Sequence, residues 1–253
     1  VFRELGAEIT VINAEPDGRN INLNAGSTHP EALQAAVVAS GCDFGVAYDG
    51  DADRCLAVDE RGHVVDGDLI LYVCGTYLNK YGRLAKQTVV TTVMSNFGLF
   101  KAFDDAGLSY EKTSVGDKYV YACMNENEYS LGGEQSGHII FSDYAKTGDG
   151  LVAALQFAAL VLKKGKKASE ILSEIKPYPQ ILLNLKITEK RPLESIAGLK
   201  ELEASLAKEG IRSLFRYSGT ENFIRLLIEG KCADALKTRM DEVEKFFVKA
   251  LNG

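Results

Sequence analysis

Three short segments hold most of the residues able to do chemistry. Asp49-Gly50-Asp51-Ala52-Asp53-Arg54 sets three carboxylates at alternate positions directly after the apolar run Phe44-Gly45-Val46-Ala47-Tyr48. Packed together without a cation, such carboxylates repel one another strongly, and a hard divalent ion is the ready resolution. Because the protein offers only these three ligands, water or phosphate oxygens must complete the coordination, which suits Mg²⁺ better than an all-protein Ca²⁺ cage. A calcium-binding helix-loop-helix is also in view, with Asp49, Asp51, Asp53 and Glu60 at its first, third, fifth and twelfth positions. It fails because Arg54 stands where that loop needs Gly and because the flanks read as strands. A solvated acidic turn is the bland alternative. Arg54 is either a surface ion-pair partner or a guanidinium placed for a phosphoryl oxygen.

The second segment, Arg216-Tyr217-Ser218-Gly219-Thr220-Glu221-Asn222, joins two expected strands. It combines a guanidinium, two hydroxyls and a Gly that lets backbone N–H groups turn toward an anion, the donors a terminal phosphate requires. Arg225 lies in the following strand, and counting residues does not settle which face it takes. Alone, the segment also reads as a polar hairpin turn. The third, Gly132-Gly133-Glu134-Gln135-Ser136-Gly137-His138, offers a carboxylate and a hydroxyl suited to the hydroxyls of a sugar. His138 is either a structural imidazole or a proton carrier near neutral pH. His29 and His63 lack such company and read as turn or surface residues.

Elements must hold these loops in place. A strand at 7–12, a helix at 30–39 and a strand at 44–48 alternate as in a mainly parallel sheet. After a tight turn at 59–62 come a helix at 68–78, a buried strand at 88–94 and helices near 97–106 and 118–125. A Gly-rich turn at 132–133 and a long helix at 149–163 follow. Lys176-Pro177-Tyr178-Pro179 reads as a linker. Beyond it, strands at 181–187, 211–217 and 223–229 and helices at 193–207 and 233–250 make a small α+β unit.

Composition sets the limits. The 253 residues are 46% hydrophobic and 25% charged, enough for one large domain or two to three small ones. With a formal charge of −6 and no basic run longer than Lys163-Lys164-Gly165-Lys166-Lys167, neither nucleic acid nor an anionic membrane is the expected partner. The five cysteines show no C-x-x-C spacing and fit reduced core thiols of a cytoplasmic protein. No apolar run nears ~20 residues and no charged start with an apolar centre is legible, so a soluble, unexported chain is the expectation. The opening Val1-Phe2-Arg3-Glu4-Leu5-Gly6, with no Met and no helix cap, reads as a start in mid-domain.

Together, and in this order and spacing, the three loops resemble the α-D-phosphohexomutase family over the whole chain. The resemblance implies three related α/β domains and a small α+β fourth domain around a central cleft. Residues 1–60 would be the second half of domain two with the metal loop, and 61–175 the complete three-layer α/β domain three with the sugar loop. Residues 178–253 would be domain four with the phosphate loop. The first domain, bearing the family's phosphoserine, is then the expected missing partner, and the chain alone is expected to be inactive.

The family's roles would fall on Asp49, Asp51 and Asp53 as Mg²⁺ ligands, with Arg54 assisting phosphoryl transfer. Glu134 and Ser136 would hold sugar hydroxyls, and Arg216, Ser218, Gly219 and Thr220 the non-reacting phosphate, with Arg225 a further candidate. His138 and Lys118, the latter in Val115-Gly116-Asp117-Lys118-Tyr119, match cleft positions that help proton transfer, although Lys118 also reads as a solvated helix charge. Gln135, Gly26-Ser27-Thr28-His29-Pro30 and Thr92-Val93-Met94-Ser95-Asn96 point to the branch acting on glucosamine 6-phosphate and glucosamine 1-phosphate. Mannose or glucose phosphates are the alternative substrates, and a non-catalytic metal- and sugar-phosphate-binding module is the alternative of another class. Substrate bridging the metal and phosphate loops is expected to close the domains and exclude water.

Overall fold

Residues 1–219 and 221–252 are described in the computed structural model of the chain, the side chain of Asn252 excepted. They fall into two units, residues 1–95 with 99–176 and residues 96–98 with 177–253.

In the first unit, α1 (Glu31–Ser40) stops at Gly41, whose φ of 66° no other residue type adopts as cheaply. Then come β1 (Phe44–Tyr48), β2 (Cys55–Asp59) and β3 (Val64–Val65). All pair antiparallel in the order β1-β2-β3, with Tyr48 opposite Cys55. The acidic loop is therefore a hairpin connection, which corrects the parallel sheet expected for this third of the chain. Residues 7–12 form no strand, because alternation makes a segment extended but only a neighbouring edge makes it a strand.

The unit continues with α2 (Gly67–Lys80), β4 (Thr88–Thr92), α3 (Phe97–Ala106) from Leu99 onward, β5 (Ser109–Thr113) and α4 (Asp117–Asn127). It ends with β6 (Leu131–Gly133), β7 (Ile139–Phe141), α5 (Gly150–Lys164) and α6 (Ala168–Leu172). The second sheet runs β5-β4-β6-β7, with β4 parallel to β5 and β6 and β7 antiparallel to β6. Gly132-Gly133, expected as a turn, lies in buried β6, where pairing on both sides overrides the usual meaning of Gly.

Helix α2 is buried from Gly67 through Gly75, as its nearly continuous apolar sequence requires. Asp66 caps it by accepting from the Leu69 N–H at 3.1 Å, and Asp149 caps α5 by accepting from the Val152 N–H at 3.0 Å. One core joins Cys55, Ala57 and Val65 of the first sheet to Ile70, Leu71 and Val73 of α2 and Ala153, Ala154 and Phe157 of α5. Burying each large apolar side chain of this set contributes about 1.5–3 kcal/mol, so the first sheet is welded to the helices rather than tethered. Cys55 and Cys74 belong to that core, and burial pushes both thiols up to about 12, making them poor nucleophiles. Cys232 is exposed, unlike the core thiol expected.

The second unit contains β8 (Gln180–Lys186), α7 (Leu199–Lys208), β9 (Arg212–Tyr217), β10 (Phe223–Glu229) and α8 (Ala233–Asn252). Its antiparallel sheet runs β8-β10-β9. Alternate residues Ile181, Leu183 and Leu185 of β8 and Ile224, Leu226 and Ile228 of β10 pack with Leu206, Val243 and Phe247 from the helices. The helix expected at 193–207 is split into a 3-10 turn at Leu193–Ser195 and α7, with Gly198 at φ 84° between them. A helix-interior Gly costs about 1 kcal/mol, which is enough to place a break there. No helix among the described residues is long and apolar enough to cross a membrane.

Glu60, which stood at the twelfth position of the calcium-loop pattern, is spent elsewhere. Its carboxylate accepts from the Ser169 N–H at 3.1 Å and from the Ser169 hydroxyl. Burial pushes this carboxyl up, but the two Ser169 bonds outweigh it and hold the pKa below the ordinary 4.5. A depressed carboxylate pKa contributes stability above the unfolded value that is lost as pH falls through the folded value. Ser169→Ala should therefore cost on the order of 1 kcal/mol at pH 7. Urea unfolding repeated at falling pH should show that cost shrinking below the ordinary carboxylate range.

Candidate metal, hexose and phosphate sites

Asp49, Asp51 and Asp53 each bring a carboxylate oxygen within 4.8 Å of the other two. The hairpin achieves this with Ala52 at φ 59°, a left-handed conformation that costs an L-residue about 1–2 kcal/mol. The Ala52 carbonyl accepts from the Gly150 N–H at 2.9 Å, so the first residue of α5 holds the strained turn. Gly150 is required there, since a Cβ would lie 2.6 Å from the Arg54 carbonyl oxygen and 2.8 Å from that of Ala52.

On its other side the loop is held by Gly132–His138. The Cys55 N–H donates to the Gly137 carbonyl at 3.0 Å, and Arg54 forms an antiparallel bridge with His138. The His138 side chain is 4% exposed, and its Nδ1 lies 3.0 Å from Asp53 Oδ2. Arg54 Nε sits 3.6 Å from Asp49 Oδ2 and 3.9 Å from Asp53 Oδ1. Asp53 Oδ1 and Arg54 Nε are both buried without a hydrogen-bond partner. A hard-oxygen trio that includes a buried, unpartnered carboxylate oxygen fits a small divalent cation.

The sugar loop is anchored in turn. Gln135 accepts through its carbonyl from the Gly67 N–H at 3.0 Å and donates its side-chain amide to Asp66 Oδ2 at 3.1 Å. Burial pushes the Asp66 carboxyl up, and the bonds from Leu69 and Gln135 lower it only in part. A Cβ at Gly67 would lie 2.0 Å from the Glu134 carbonyl oxygen, so helix and loop are in backbone contact. Glu134 Oε1 accepts from the Gly116 N–H at 2.9 Å, and Ser136 is exposed. Lys118 is exposed in the first turn of α4, with Nζ 4.8 Å from the centroid of the Tyr119 ring.

In the second unit, Arg216 of β9 and Arg225 of β10 are direct cross-strand partners, which settles the face that counting left open. Like charges directly opposite on a sheet are unfavourable, and their pairing calls for an anion. Burial, and then the neighbouring Arg225, hold the Arg216 guanidinium below its usual value. Ser218 is buried; its N–H donates to the Phe223 carbonyl at 2.9 Å and its Oγ accepts from the Glu221 N–H at 3.3 Å. Gly219 is exposed, while Thr220 lies outside the described residues.

Several positions passed over in the sequence prove to build these sites. Lys190 donates through Nζ to the Ser218 carbonyl at 2.7 Å, a contact made across 28 residues with no local signal. Asp66 shows one, a carboxylate three residues before an apolar helical position, the mark of an N-cap. Gln135, taken in the sequence only as a mark of the branch, also ties the loop to α2 by donating an amide N–H to Asp66.

Three family models match successive parts of the chain. Phosphoglucomutase/phosphomannomutase alpha/beta/alpha domain II covers residues 1–62, domain III residues 66–178 and the C-terminal domain residues 182–246. The phosphoglucosamine mutase of Campylobacter concisus is 62% identical over 252 residues, taking in 100% of this chain and 56% of that protein. Its counterpart from Campylobacter curvus is 61% identical with the same coverage. The chain thus spans little more than half the length of these curated relatives. Among solved structures, a phosphoglucomutase/phosphomannomutase family protein from Burkholderia thailandensis superposes with a TM-score of 0.78 at 22% identity. It covers 98% of this chain and 56% of that one. Aspergillus fumigatus N-acetylphosphoglucosamine mutase, in complex with GlcNAc-6P and magnesium, gives 0.75 at 23% identity over 90% of this chain and 53% of that one. At such identities these two likenesses speak for the fold.

The opposed guanidiniums make a testable pair. Without anion, Arg225→Leu should stabilise the second unit by about 0.2–1 kcal/mol by removing like-charge repulsion. Inorganic phosphate should raise the unfolding midpoint of the unaltered chain and raise it less in the variant. Thermal melts with and without phosphate read both effects.

Proposed function

The chain belongs to the phosphoglucomutase/phosphomannomutase family, and on that footing we propose that it carries the metal, hexose and phosphate sites of a phosphoglucosamine mutase. The reaction is the interconversion of glucosamine 6-phosphate and glucosamine 1-phosphate through a hexose bisphosphate. The observation that carries this reading is the joining of the carboxylate trio to the Glu134–His138 loop by the Cys55–Gly137 and Asp53–His138 hydrogen bonds. A metal loop and a loop of hydroxyl-reading groups held in one frame serve phosphoryl transfer to a sugar. The preference for glucosamine is supported by the 62% and 61% identical relatives, both phosphoglucosamine mutases.

In this reading Asp49, Asp51 and Asp53 hold Mg²⁺, which when bound withdraws charge from the transferring phosphoryl group. Arg54, beside Asp49 and Asp53, is aimed at the same phosphoryl oxygens. Glu134 and Ser136 orient the hexose through its hydroxyls. Arg216, Arg225, Ser218, Gly219 and Thr220 bind the phosphate that does not react, so that binding energy at one end of the substrate orients the other. Lys118 supplies a mobile cation at the start of α4, able to move protons or balance charge.

The test uses a polypeptide extended to the length of the curated relatives. It should turn over glucosamine 6-phosphate with a higher kcat/KM than glucose 6-phosphate or mannose 6-phosphate, and preference for mannose would overturn the assignment. Asp51→Asn should lower kcat by about 100-fold or more, corresponding to several kcal/mol of lost charge stabilisation. Arg216→Ala should act chiefly on KM.

A further inference from the structure

Asp53 differs from the other two carboxylates of its loop in pairing with an imidazole through one oxygen while the other is buried without a donor. Oδ2 is 3.0 Å from His138 Nδ1, while Oδ1 is buried and accepts no hydrogen bond. A buried carboxylate oxygen left without a donor is costly, and it persists only where the surroundings fix it and something else satisfies it.

His138 does the fixing, and it is itself immobilised on every side. Its backbone bridges to Arg54, its carbonyl accepts from the Glu134 N–H at 2.9 Å, and its side chain is 4% exposed. Gly148 lies against the imidazole so closely that a Cβ there would stand 2.3 Å from Nε2. Nε2 is buried with no hydrogen-bond partner, so the ring spends its one directed polar contact on Asp53. The ring cannot swing away, and the carboxylate it holds cannot rotate without breaking that bond.

We propose that His138 is a positioning residue for the cation: by donating from Nδ1 to Asp53 Oδ2, it turns Asp53 Oδ1 toward the ion. The inference rests on the metal reading given above and deepens it. Outer groups that orient a ligating side chain typically govern metal affinity by about 10- to 100-fold. The donor comes from the loop that carries Glu134 and Ser136, so the hexose-reading segment also sets the aim of a metal ligand.

Mn²⁺ alone is the probe, titrated into the chain as it stands and followed by the electron paramagnetic resonance signal of the free ion. His138→Asn places an amide donor where Nδ1 sits, whereas His138→Leu has nearly the shape of Asn without the donor. The expected result is a loss of Mn²⁺ affinity of about 10- to 100-fold in H138L, with H138N retaining most of it. Unfolding midpoints measured without metal should not separate the two in that way. Equal affinities in H138L and H138N, whether both high or both low, would overturn the proposal. Should H138L fail to fold, H138Q replaces it, since its amide reaches the Nε2 position and leaves Asp53 without its donor. No Mn²⁺ uptake by the unaltered chain would instead remove the metal reading, and this inference with it.

Discussion

Three negative charges have to be kept together before any cation arrives. Two unit charges 4 Å apart repel by about 1 kcal/mol in water and about 4 kcal/mol at the effective dielectric of a protein surface. The carboxylate oxygens of Asp49, Asp51 and Asp53 lie within 4.8 Å of one another. A single hydrogen bond, worth about 1 kcal/mol net, does not hold such a loop against that repulsion. What holds it is a set of backbone bonds from two sides, Gly150 to Ala52 and Cys55 to Gly137, reinforced by Arg54 and His138. Those contacts exist only because α5 and the first sheet share one apolar core, so the hydrophobic packing underwrites the electrostatics.

The second unit solves the opposite problem by simpler means. Arg216 and Arg225 are set against each other by strand register alone, and the sheet supplies the rigidity. Backbone clamps are unnecessary because the two guanidiniums are long and partly exposed, so solvent screens them until an anion comes. Lys190 strengthens the arrangement differently, tying the Ser218 carbonyl and so the shape of the loop. Both sites keep like charges close at a cost that a ligand of opposite charge relieves, and each leans on the strongest local scaffold available to it.

Much of this was legible in the residues. The strand Phe44–Tyr48, the helix Phe97–Ala106, the strand Phe223–Glu229 and the three loops follow from periodicity and from side-chain chemistry. The antiparallel course of β2 was not, because a strand followed by a polar loop reads alike whether the chain returns beside itself or crosses over. Nor was the segment 7–12, whose alternation needs an edge to pair with and finds none among the described residues. Gly132 and Gly133 misled for a related reason: Gly marks a turn in isolation, but in β6 it permits close packing. The links between loops were invisible, since Asp53 to His138 spans 85 residues and Gln135 to Asp66 spans 69. Sequence spacing encodes the contents of a loop and says nothing of which loop it will touch.

Those long-range links bear on how a hexose would be read. Glu134 commits Oε1 to the Gly116 N–H, which leaves the carboxylate's second oxygen for another donor. A carboxylate divided in this way offers an acceptor whose direction is set by the protein, and a sugar hydroxyl meets a fixed rather than a searching partner. Gln135 secures the same loop from behind through Asp66, the cap of α2. In the proposed reading the residue between Glu134 and Ser136 helps fix the backbone geometry of the loop, with one of its amide N–H groups committed to Asp66. If this loop reads a hexose as proposed, its discrimination depends on where Glu134 and Ser136 are held, and the packing of Gly67 against the Glu134 carbonyl then bears on specificity alongside the groups that face the ligand.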